Sequence, residues 1–321
     1  MVHHIFDSHA HYDDERFCED RGELLSSFPA VGVCRVLNAG CNLEASRAGI
    51  ALGKEYPFLY SAVGCHPDAA DEITPQSLAL LRELAGEEKV KAIGEIGLDY
   101  HYEDIPRQRQ IPAFEAQLQL AGELDMPVII HSREAVEDTM RLLNQYWPKG
   151  VVHCFSGSVE TAKEVLRLGM YIGVTGVITF KNARRIREVM EAVPLDHLLI
   201  ETDCPYMAPE PYRGKRCDST MLPRMAEAIA AIDRPLDLQI VVALSCTMCP
   251  ELVIAAQKIA ASNPLVTAKV YDVNHFPELR ERYKIMSVPC LIINKAQVAF
   301  GKKTLGQLLE LLAEPEAGQT G

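Results

Sequence analysis

Apolar and polar residues in the first 230 positions follow two alternating periods, and the alternation repeats eight times. Short apolar runs that end in a polar residue or glycine are typical of buried strands, and the segments between them return an apolar residue every three or four positions, as amphipathic helices do. The runs are His3–His9, Val33–Gly40, Leu59–Gly64, Val90–Gly97, Pro127–His131, Gly150–His153, Met170–Val174 and Leu198–Asp203. The helical segments are Glu44–Tyr56, Ser77–Ala85, Arg109–Glu123, Val136–Tyr146, Glu160–Leu168 and Ile186–Ala192. This α/β order predicts a closed (β/α)8 TIM barrel over residues 1–232, with an open doubly wound sheet as the alternative.

A second pattern begins after the short boundary Asp233-Arg234-Pro235. Its order predicts a separate β-α-β-α-β-β-α domain over residues 236–315. The predicted elements are a strand at Asp237–Leu244, a helix that opens at Cys249-Pro250, a strand at Val266–Val273, a helix at Pro277–Tyr283, paired strands at Cys290–Asn294 and Val298–Phe300, and a helix at Leu305–Ala313. The polar tail Glu314–Gly321 is expected to fray.

Composition adds a location and excludes a membrane span. No apolar run approaches the roughly 18 to 20 residues that cross a bilayer. The stretch Met1–Asp7 lacks the basic, apolar and cleavage regions of a secretory signal, which predicts a cytoplasmic protein. The ten cysteines lie mostly in apolar runs, as the reduced core cysteines of cytosolic proteins do. A closed barrel buries its strand edges, so a monomer is expected.

The negative charge is concentrated in the first predicted domain. Residues 1–235 carry 24 Lys and Arg against 36 Asp and Glu, whereas residues 236–321 carry 8 of each. A protein with a net charge of −12 repels a phosphate backbone, which excludes tight nonspecific binding through a broad basic face. Contact with nucleic acid must therefore be local and assisted by metal.

Polar side chains stand where the predicted strands end, the edge at which barrel active sites are assembled. Because side chains alternate along a strand, two histidines two positions apart point to the same side. Imidazole nitrogens with carboxylate oxygens suit zinc, manganese or magnesium, and a shared carboxylate bridges two ions. A lone histidine at a strand end is more often a satisfied polar residue, but four histidines and two carboxylates placed in this way predict a centre for two divalent ions. They are His9, His11, Glu95, His131, His153 and Asp203.

Six blocks of the sequence, in this order, resemble the signature blocks of TatD-type metal-dependent deoxyribonucleases over about residues 4–230. They are Asp7-Ser8-His9-Ala10-His11-Tyr12-Asp13, Gly64-Cys65-His66-Pro67, Gly94-Glu95-Ile96-Gly97-Leu98-Asp99-Tyr100, Ile130-His131-Ser132-Arg133, His153-Cys154-Phe155-Ser156-Gly157 and Glu201-Thr202-Asp203-Cys204-Pro205-Tyr206. The resemblance implies a hydrolase of phosphodiester bonds with DNA as its substrate. The sequence departs from that family at Arg216-Cys217-Asp218-Ser219, where the family continues with Arg-Asn-Glu-Pro.

The resemblance also implies a role for each residue. His9 and His11 would bind one ion, Glu95 would bridge, His131 and His153 would bind the second ion, and Asp203 would bind metal and assist proton transfer. His66 and Arg213 would face the substrate phosphate. Asp203 has a structural alternative as a helix N-cap before Cys204-Pro205, and the basic run Arg213-Gly214-Lys215-Arg216 is as often a solvated loop.

The second predicted domain carries a Cys-X-X-Cys motif at the start of a helix. Helix N-termini favour a thiolate on the leading cysteine, here Cys246 before Cys249. A zinc site would need another ligand pair, and residues 236–321 offer Cys290 and His275, so a redox site is favoured. The stretch Ser245–Gly306 resembles the glutaredoxin-like N-terminal domain of the alkyl hydroperoxide reductase AhpF. A thioredoxin fold implies a cis Pro289 facing the disulfide, and a thiol-redox partner protein.

Two classes of function follow from these patterns. The first is a metal-dependent nuclease or related phosphoesterase; within the same fold, another ester such as a misacylated tRNA is an alternative substrate. The second is a thiol–disulfide oxidoreductase for which the barrel is a scaffold, which the complete ligand set disfavours. Because Cys204 adjoins Asp203 and the linker is short, we also predict that the redox state of the Cys246–Cys249 pair modulates hydrolysis.

Overall fold

The computed structural model describes residues 4–102, 104–180, 182–222, 236–263 and 265–313. Contacts divide the chain into two units, Met1–Pro223 and Arg224–Gly321. The predicted boundary around residues 232–236 and the predicted frayed tail at 314–321 fall largely or wholly outside the described residues. His3, the predicted first residue of the first strand, also lies outside them.

The first unit is the predicted barrel, which is confirmed. Its strands pair in chain order, and every ladder between neighbours is parallel. The last strand continues into a segment that bridges back to the first through Ala10 and Cys204. The strands are β1 Ile5–Ala10, β2 Val33–Ala39, β3 Leu59–Val63, β4 Val90–Asp99, β5 Val128–Arg133, β6 Gly150–Val152, β7 Tyr171–Val174 and β8 Leu198–Ile200.

The helices of the first unit pack their apolar faces on the sheet, and three of them begin at a capping side chain. Buried Val, Ile and Leu side chains of strands and helices form the core between these layers. The helices are α1 Arg21–Ser27, α2 Leu43–Glu55, α3 Pro75–Ala85, α4 Arg107–Glu123, α5 Val136–Tyr146, α6 Val159–Arg167 and α7 Arg184–Ala192. Thr74 and Ser77 form a reciprocal capping box at the start of α3, and Ser158 accepts a hydrogen bond from the Thr161 amide at the start of α6.

The fourth strand differs from its prediction. Sequence placed Glu95 at the closing end of a run that stops at Gly97, whereas β4 continues to Asp99. The pairing of β4 with β5 shifts register between Ile93 and Ile96, so Glu95 lies in an irregular segment inside the strand. Its carboxylate reaches the barrel mouth from within β4 rather than from the strand end.

The second unit has the predicted order of elements around a four-stranded sheet of order β10-β9-β11-β12. The elements are β9 Leu236–Val242, α8 Cys249–Ser262, β10 Val266–Asp272, α9 Pro277–Arg282, β11 Cys290–Ile293, β12 Gln297–Phe300 and α10 Leu305–Ala313. Strand β9 pairs in parallel with β10 and antiparallel with β11, and β11 and β12 form a hairpin. A separate apolar core, which includes Leu252 and Leu291, fills this unit.

Within the described residues of both units, every helix is too short or too polar to span a bilayer.

Candidate metal centre

Closure of the barrel places Asp203 beside the first strand. The Asp203 amide donates to the His9 carbonyl at 3.0 Å, and the His11 amide donates to the Cys204 carbonyl at 2.9 Å. These two bonds join the segment after β8 to the end of β1. The Asp203 Oδ1 atom consequently lies 3.7 Å from His9 Nε2 and 3.5 Å from His11 Nε2.

The two oxygens of Glu95 face two different groups of ligands. Glu95 Oε2 lies 3.3 Å from His9 Nε2 and 3.6 Å from His11 Nε2. Glu95 Oε1 lies 2.8 Å from His131 Nδ1 and 2.7 Å from His153 Nε2. One carboxylate thus stands between a group containing His9, His11 and Asp203 and a group containing His131 and His153. The structure brings all six predicted ligands to one mouth.

Contacts behind the ligands fix the orientation of their rings. His11 Nδ1 lies 3.0 Å from the Ala39 carbonyl, which leaves Nε2 as the free ligand atom. His131 Nε2 lies 3.2 Å from Asp99 Oδ2, which leaves Nδ1 to face Glu95. Each ring therefore points its metal-binding nitrogen into the mouth.

Glu201, two residues before Asp203, supports the residues around the centre through hydrogen bonds. It is fully buried, and its carboxylate accepts a hydrogen bond from the Cys154 amide at 2.6 Å and from the Ser8 hydroxyl at 3.2 Å. Burial raises the pKa of this carboxyl to about 7. The contact with Cys154 holds the backbone that follows His153.

The protonation states of the carboxyl and imidazole groups favour the binding of cations. Burial opposes ionisation of Glu95, yet the surrounding histidines, with His153 the strongest, hold its pKa well below the usual range. Burial, assisted by His153, lowers the pKa of His9 to about 4, so this ring is neutral. Burial is outweighed at His131, where hydrogen bonds with Asp99 and Glu95 raise the pKa to about 9. The carboxylates are thus ionised, and a bound cation would replace the proton held by His131.

The residues present fit a divalent metal centre. In four groups of this mouth the ligand atoms lie within 4.8 Å of one another: His9 with Glu95 and His153, His9 with His11 and Asp203, His11 with Cys41 and Glu95, and His66 with Asp99 and His131. The His9 and His11 Nε2 atoms are only 3.0 Å apart, as two lone pairs aimed at a shared ion would be. Buried imidazoles facing ionised carboxylates are the donor set that zinc and manganese take.

Asp203 is not the cap of a helix, so that alternative is wrong. Its backbone has a φ of 54°, and among the described residues the first helical turn after it is the short 3-10 turn Ser219–Met221, which Asp218 caps. The side chain of Asp203 instead faces His9 and His11. Burial is outweighed by the hydrogen bond with His11, which lowers the pKa of Asp203 and keeps it ionised.

The two predicted substrate residues lie at the edge of the centre. His66 is partly buried, its Nε2 lies 3.8 Å from Glu95 Oε1, and its ring meets His131 edge-on at 4.4 Å. Arg213 is exposed and stacks on Phe180, with its Cζ atom 4.4 Å from the ring centroid. It lines a cavity whose wall includes Pro205, two residues after Asp203. Their role toward substrate stays a prediction.

Sequence reasoning missed two residues of this mouth. Asp99 contacts His131 but was expected beyond the end of the fourth strand; the Gly-Leu-Asp run after Glu95 was the available signal. Cys41 lies 3.5 Å from His11 Nδ1. It follows β2, whose apolar run Val33–Gly40 ends in a glycine and gives no polar signal.

The second unit contains the predicted cysteine pair. Cys246 and Cys249 form a disulfide at the start of α8, with their Cα atoms 5.5 Å apart. Cys249 is buried and Cys246 is partly exposed. The Val288–Pro289 peptide is cis, as predicted for Pro289, and Cys246 Sγ lies 3.9 Å from the Val288 carbonyl. Cys290 is buried in β11, which agrees with a strand cysteine.

The barrel sequence is similar to a family of nucleases and to their solved structures. Residues 6–247 match the family described as TatD related DNase. An uncharacterized metal-dependent hydrolase, YabD of Bacillus subtilis, is 40% identical over 71% of this chain and 91% of its own length. The 3'-5' ssDNA/RNA exonuclease TatD of Cronobacter sakazakii is 36% identical over 70% of this chain and 89% of its own. The crystal structure of YjjV, a TatD homologue of Escherichia coli, is 34% identical, covers 70% of this chain and 89% of that chain, and superposes with a TM-score of 0.67.

The second unit is similar to a different group. Residues 236–313 match a family described as a thioredoxin domain, which confirms the predicted fold class of this unit. The matching part of alkyl hydroperoxide reductase AhpF from Enterococcus faecalis is 38% identical over 31% of this chain and 46% of that chain, with a TM-score of 0.27. The two family matches overlap at 236–247, where the structure places β9 in the sheet of the second unit.

Proposed function

Because this chain belongs to the TatD-related DNase family, we propose that it hydrolyses phosphodiester bonds at single-stranded ends of nucleic acid with two divalent metal ions. The position of Glu95 between two groups of ligands is the observation that carries the proposal. Its two oxygens face His9 and His11 on one side and His131 and His153 on the other. A centre for one ion would use one of these groups and leave the other without a cation to bind.

Each ligand takes a definite place in this proposal. His9, His11 and Asp203 would hold one ion, His131 and His153 would hold the other, and Glu95 would contribute to both. When bound, the ions supply Lewis-acid activation of water and neutralise charge on the phosphodiester. Magnesium, manganese and zinc all accept this donor set.

Asp203 is the group that receives the proton of the attacking water. Its carboxylate is ionised, partly exposed at the mouth and fixed by the backbone bonds to β1. Glu95 is buried and faces histidines with both oxygens, so it positions rather than exchanges protons. His66 contacts the ligand group directly, and Arg213 lies in the neighbouring cavity, where it meets the substrate phosphate.

The test measures metal content and turnover together. We expect the purified protein to bind two equivalents of Mn²⁺ and to shorten a 5'-labelled single-stranded oligonucleotide. Asp203→Asn removes the proton acceptor and lowers the rate about 10²- to 10⁴-fold. Asp196→Asn, an exposed aspartate before β8, is the matched control and keeps the rate. Equal turnover by wild type and Asp203→Asn, or no turnover with Mg²⁺, Mn²⁺ or Zn²⁺, would refute the mechanism.

A second activity is favoured by the disulfide of the second unit. We propose that Cys246 and Cys249 cycle between disulfide and dithiol with a partner protein, because the partly exposed Cys246 precedes a helix start and faces a cis proline. Titration in glutathione buffers, read by alkylation and mass, should show a two-electron transition. Cys290→Ser should keep the transition and Cys246→Ser should abolish it; its persistence in Cys246→Ser would refute the assignment. The cytoplasmic location, the monomeric state and the identity of the partner stay predictions.

A further inference from the structure

The first unit contains a cavity of about 460 Å³. Its wall includes the segment that follows Asp203. The Tyr206 amide donates to the Asp203 carbonyl at 3.0 Å, and the Cys217 amide donates to the Pro205 carbonyl at 3.0 Å. These bonds tie the cavity wall to the proposed ligand Asp203, so that a molecule in the cavity is held at a fixed place relative to the centre.

The charge of this cavity is opposite to that of the chain. The protein has a net charge of −12, yet the described lining includes Arg16, Arg213, Lys215 and Arg216 and contains no carboxylate. Arg16 pairs with Asp14, and Arg216 pairs with Asp20. For Arg213 and Lys215 the described residues provide no ion pair. These two cations are therefore free to bind an anion.

Two aromatic rings line the cavity, and each lies against one of the guanidinium groups. Tyr206 is 50% exposed, and the Arg16 guanidinium lies over its ring at 4.1 Å from the centroid. Phe180 is partly buried beneath the Arg213 guanidinium at 4.4 Å. Exposed rings beside cations are the platform on which proteins stack the bases of single-stranded nucleic acid, because every base has an aromatic face and a neighbouring phosphate.

We propose that this cavity binds the nucleotide next to the scissile bond, with its base stacked on Tyr206 and its phosphate held by Arg213 and Lys215. This inference rests on the proposed function and names the residues that would hold the unpaired strand. Bases inside a duplex stack on one another and only the terminal pair exposes a face, so a paired strand offers Tyr206 fewer bases than a single strand does. The local cluster of cations also explains how an acidic protein holds a polyanion without a broad basic face.

The test measures binding without turnover, so that it stands apart from catalysis. Fluorescein-labelled dT10 is titrated into the protein in EDTA, and fluorescence anisotropy gives the dissociation constant. Tyr206→Ala should weaken binding about 5- to 100-fold, whereas Tyr206→Phe, which keeps the ring, should retain it. Tyr171→Ala is the matched control, because Tyr171 is an exposed tyrosine at the opposite, amino-terminal end of β7. A hairpin with a blunt end should bind more weakly than dT10.

The cations give an independent readout. The slope of the logarithm of the dT10 association constant against the logarithm of salt concentration counts phosphate contacts. Arg213→Gln and Lys215→Gln should each reduce the magnitude of this slope by about 0.7, the change expected for one phosphate contact to a single strand. Arg184→Gln, on exposed α7, should leave the slope unchanged.

The outcomes separate this proposal from the function on which it rests. Unchanged dT10 affinity in Tyr206→Ala would overturn the stacking site, even if Asp203→Asn had lost hydrolysis. Weaker binding in Arg213→Gln with no effect of Tyr206→Ala would identify an anion site alone and would also overturn it. If phosphodiester turnover were absent but Tyr206→Ala weakened binding, the cavity would stand and the hydrolytic proposal would fail.

Discussion

The two ring nitrogens of His131 face different carboxylates, and the proton on one of them determines whether the other can bind a cation. Nε2 lies 3.2 Å from Asp99, and Nδ1 lies 2.8 Å from Glu95. Asp99 is itself fixed, because its amide donates to Gln110 Oε1 at 2.9 Å and its carbonyl accepts from Gln110 Nε2 at 2.7 Å. A carboxylate that holds the distal N–H of a metal-binding histidine orients the ring and raises its basicity.

Replacing Asp99 tests this positioning role. We expect Asp99→Asn to weaken the binding of one of the two Mn²⁺ ions about 10- to 100-fold and to leave the other nearly unchanged. Competition titration with a chromophoric chelator measures both affinities. Asp138→Asn is the control, since Asp138 accepts a hydrogen bond from Tyr100 and pairs with Arg141 away from the ligands. Equal loss of both ions, or of neither, would contradict the assignment of Asp99 to the His131 ion.

The proton on His131 also predicts how metal affinity depends on pH. Hydrogen bonds to Asp99 and Glu95 outweigh burial and raise the pKa of His131 to about 9, so the metal-free ring is protonated at pH 7. A cation must displace this proton, and its affinity therefore rises with pH below 9. Between pH 6 and 8 we expect at least about a tenfold gain in Mn²⁺ affinity per pH unit. Calorimetry in buffers of different ionisation enthalpy should detect the released proton; an affinity flat over this range would contradict the prediction.

At the scale of elements, β4 requires glycine at position 97. Gly97 has a φ of 150°, and a Cβ atom there would overlap the His131 carbonyl oxygen of the neighbouring strand. Gly97 pairs with His131 across the β4–β5 ladder. The absence of a side chain thus lets β5 approach closely enough to place His131 beside Glu95.

Gly97→Ala should consequently disturb both stability and the centre. The added methyl group forces the two strands apart, and we expect a loss of about 3 kcal/mol or more in the free energy of unfolding. Gly122→Ala is the matched control, because no described atom lies within 4 Å of its added Cβ and alanine is favoured in a helix such as α4. Urea unfolding of the two variants measures the difference. Equal stabilities would show that β4 and β5 do not require the close approach.

The same glycine explains where prediction from the sequence fell short. Periodicity predicted α5 and α10 to the residue, because their apolar stripes are regular. It ended the fourth strand early, since a glycine in an apolar run is typical of a strand end, whereas here it permits a close backbone approach. Repeated placement at strand ends was enough to find His9, His131, His153 and Asp203. Residues that meet only in space, such as Arg16, Phe180 and Tyr206 around the cavity, have no periodic signal.

At the scale of the whole molecule, each unit has its own core and its own chemistry. Buried aliphatic side chains fill the barrel, and a different set that includes Leu252 and Leu291 fills the thioredoxin-like unit. The chain therefore combines a TatD-related barrel with a thioredoxin-like unit, each built around its own core. Redox coupling would need a barrel thiol that exchanges with the disulfide. Otherwise, the binding of metal or substrate by the barrel would have to depend on the redox state of the cysteine pair.

Cys204 was the reason to expect such coupling, and its environment disfavours it. Cys204 adjoins Asp203 but is fully buried, and burial raises the pKa of its thiol to about 12. A buried protonated thiol is a poor nucleophile for disulfide exchange. We therefore expect hydrolysis rates that agree within about twofold for the oxidised protein, the reduced protein and Cys246→Ser, measured on one oligonucleotide with saturating Mn²⁺. Cys204→Ser should not alter that agreement. A redox-dependent rate that disappears in Cys246→Ser and persists in Cys204→Ser would restore coupling and assign it to a route other than Cys204.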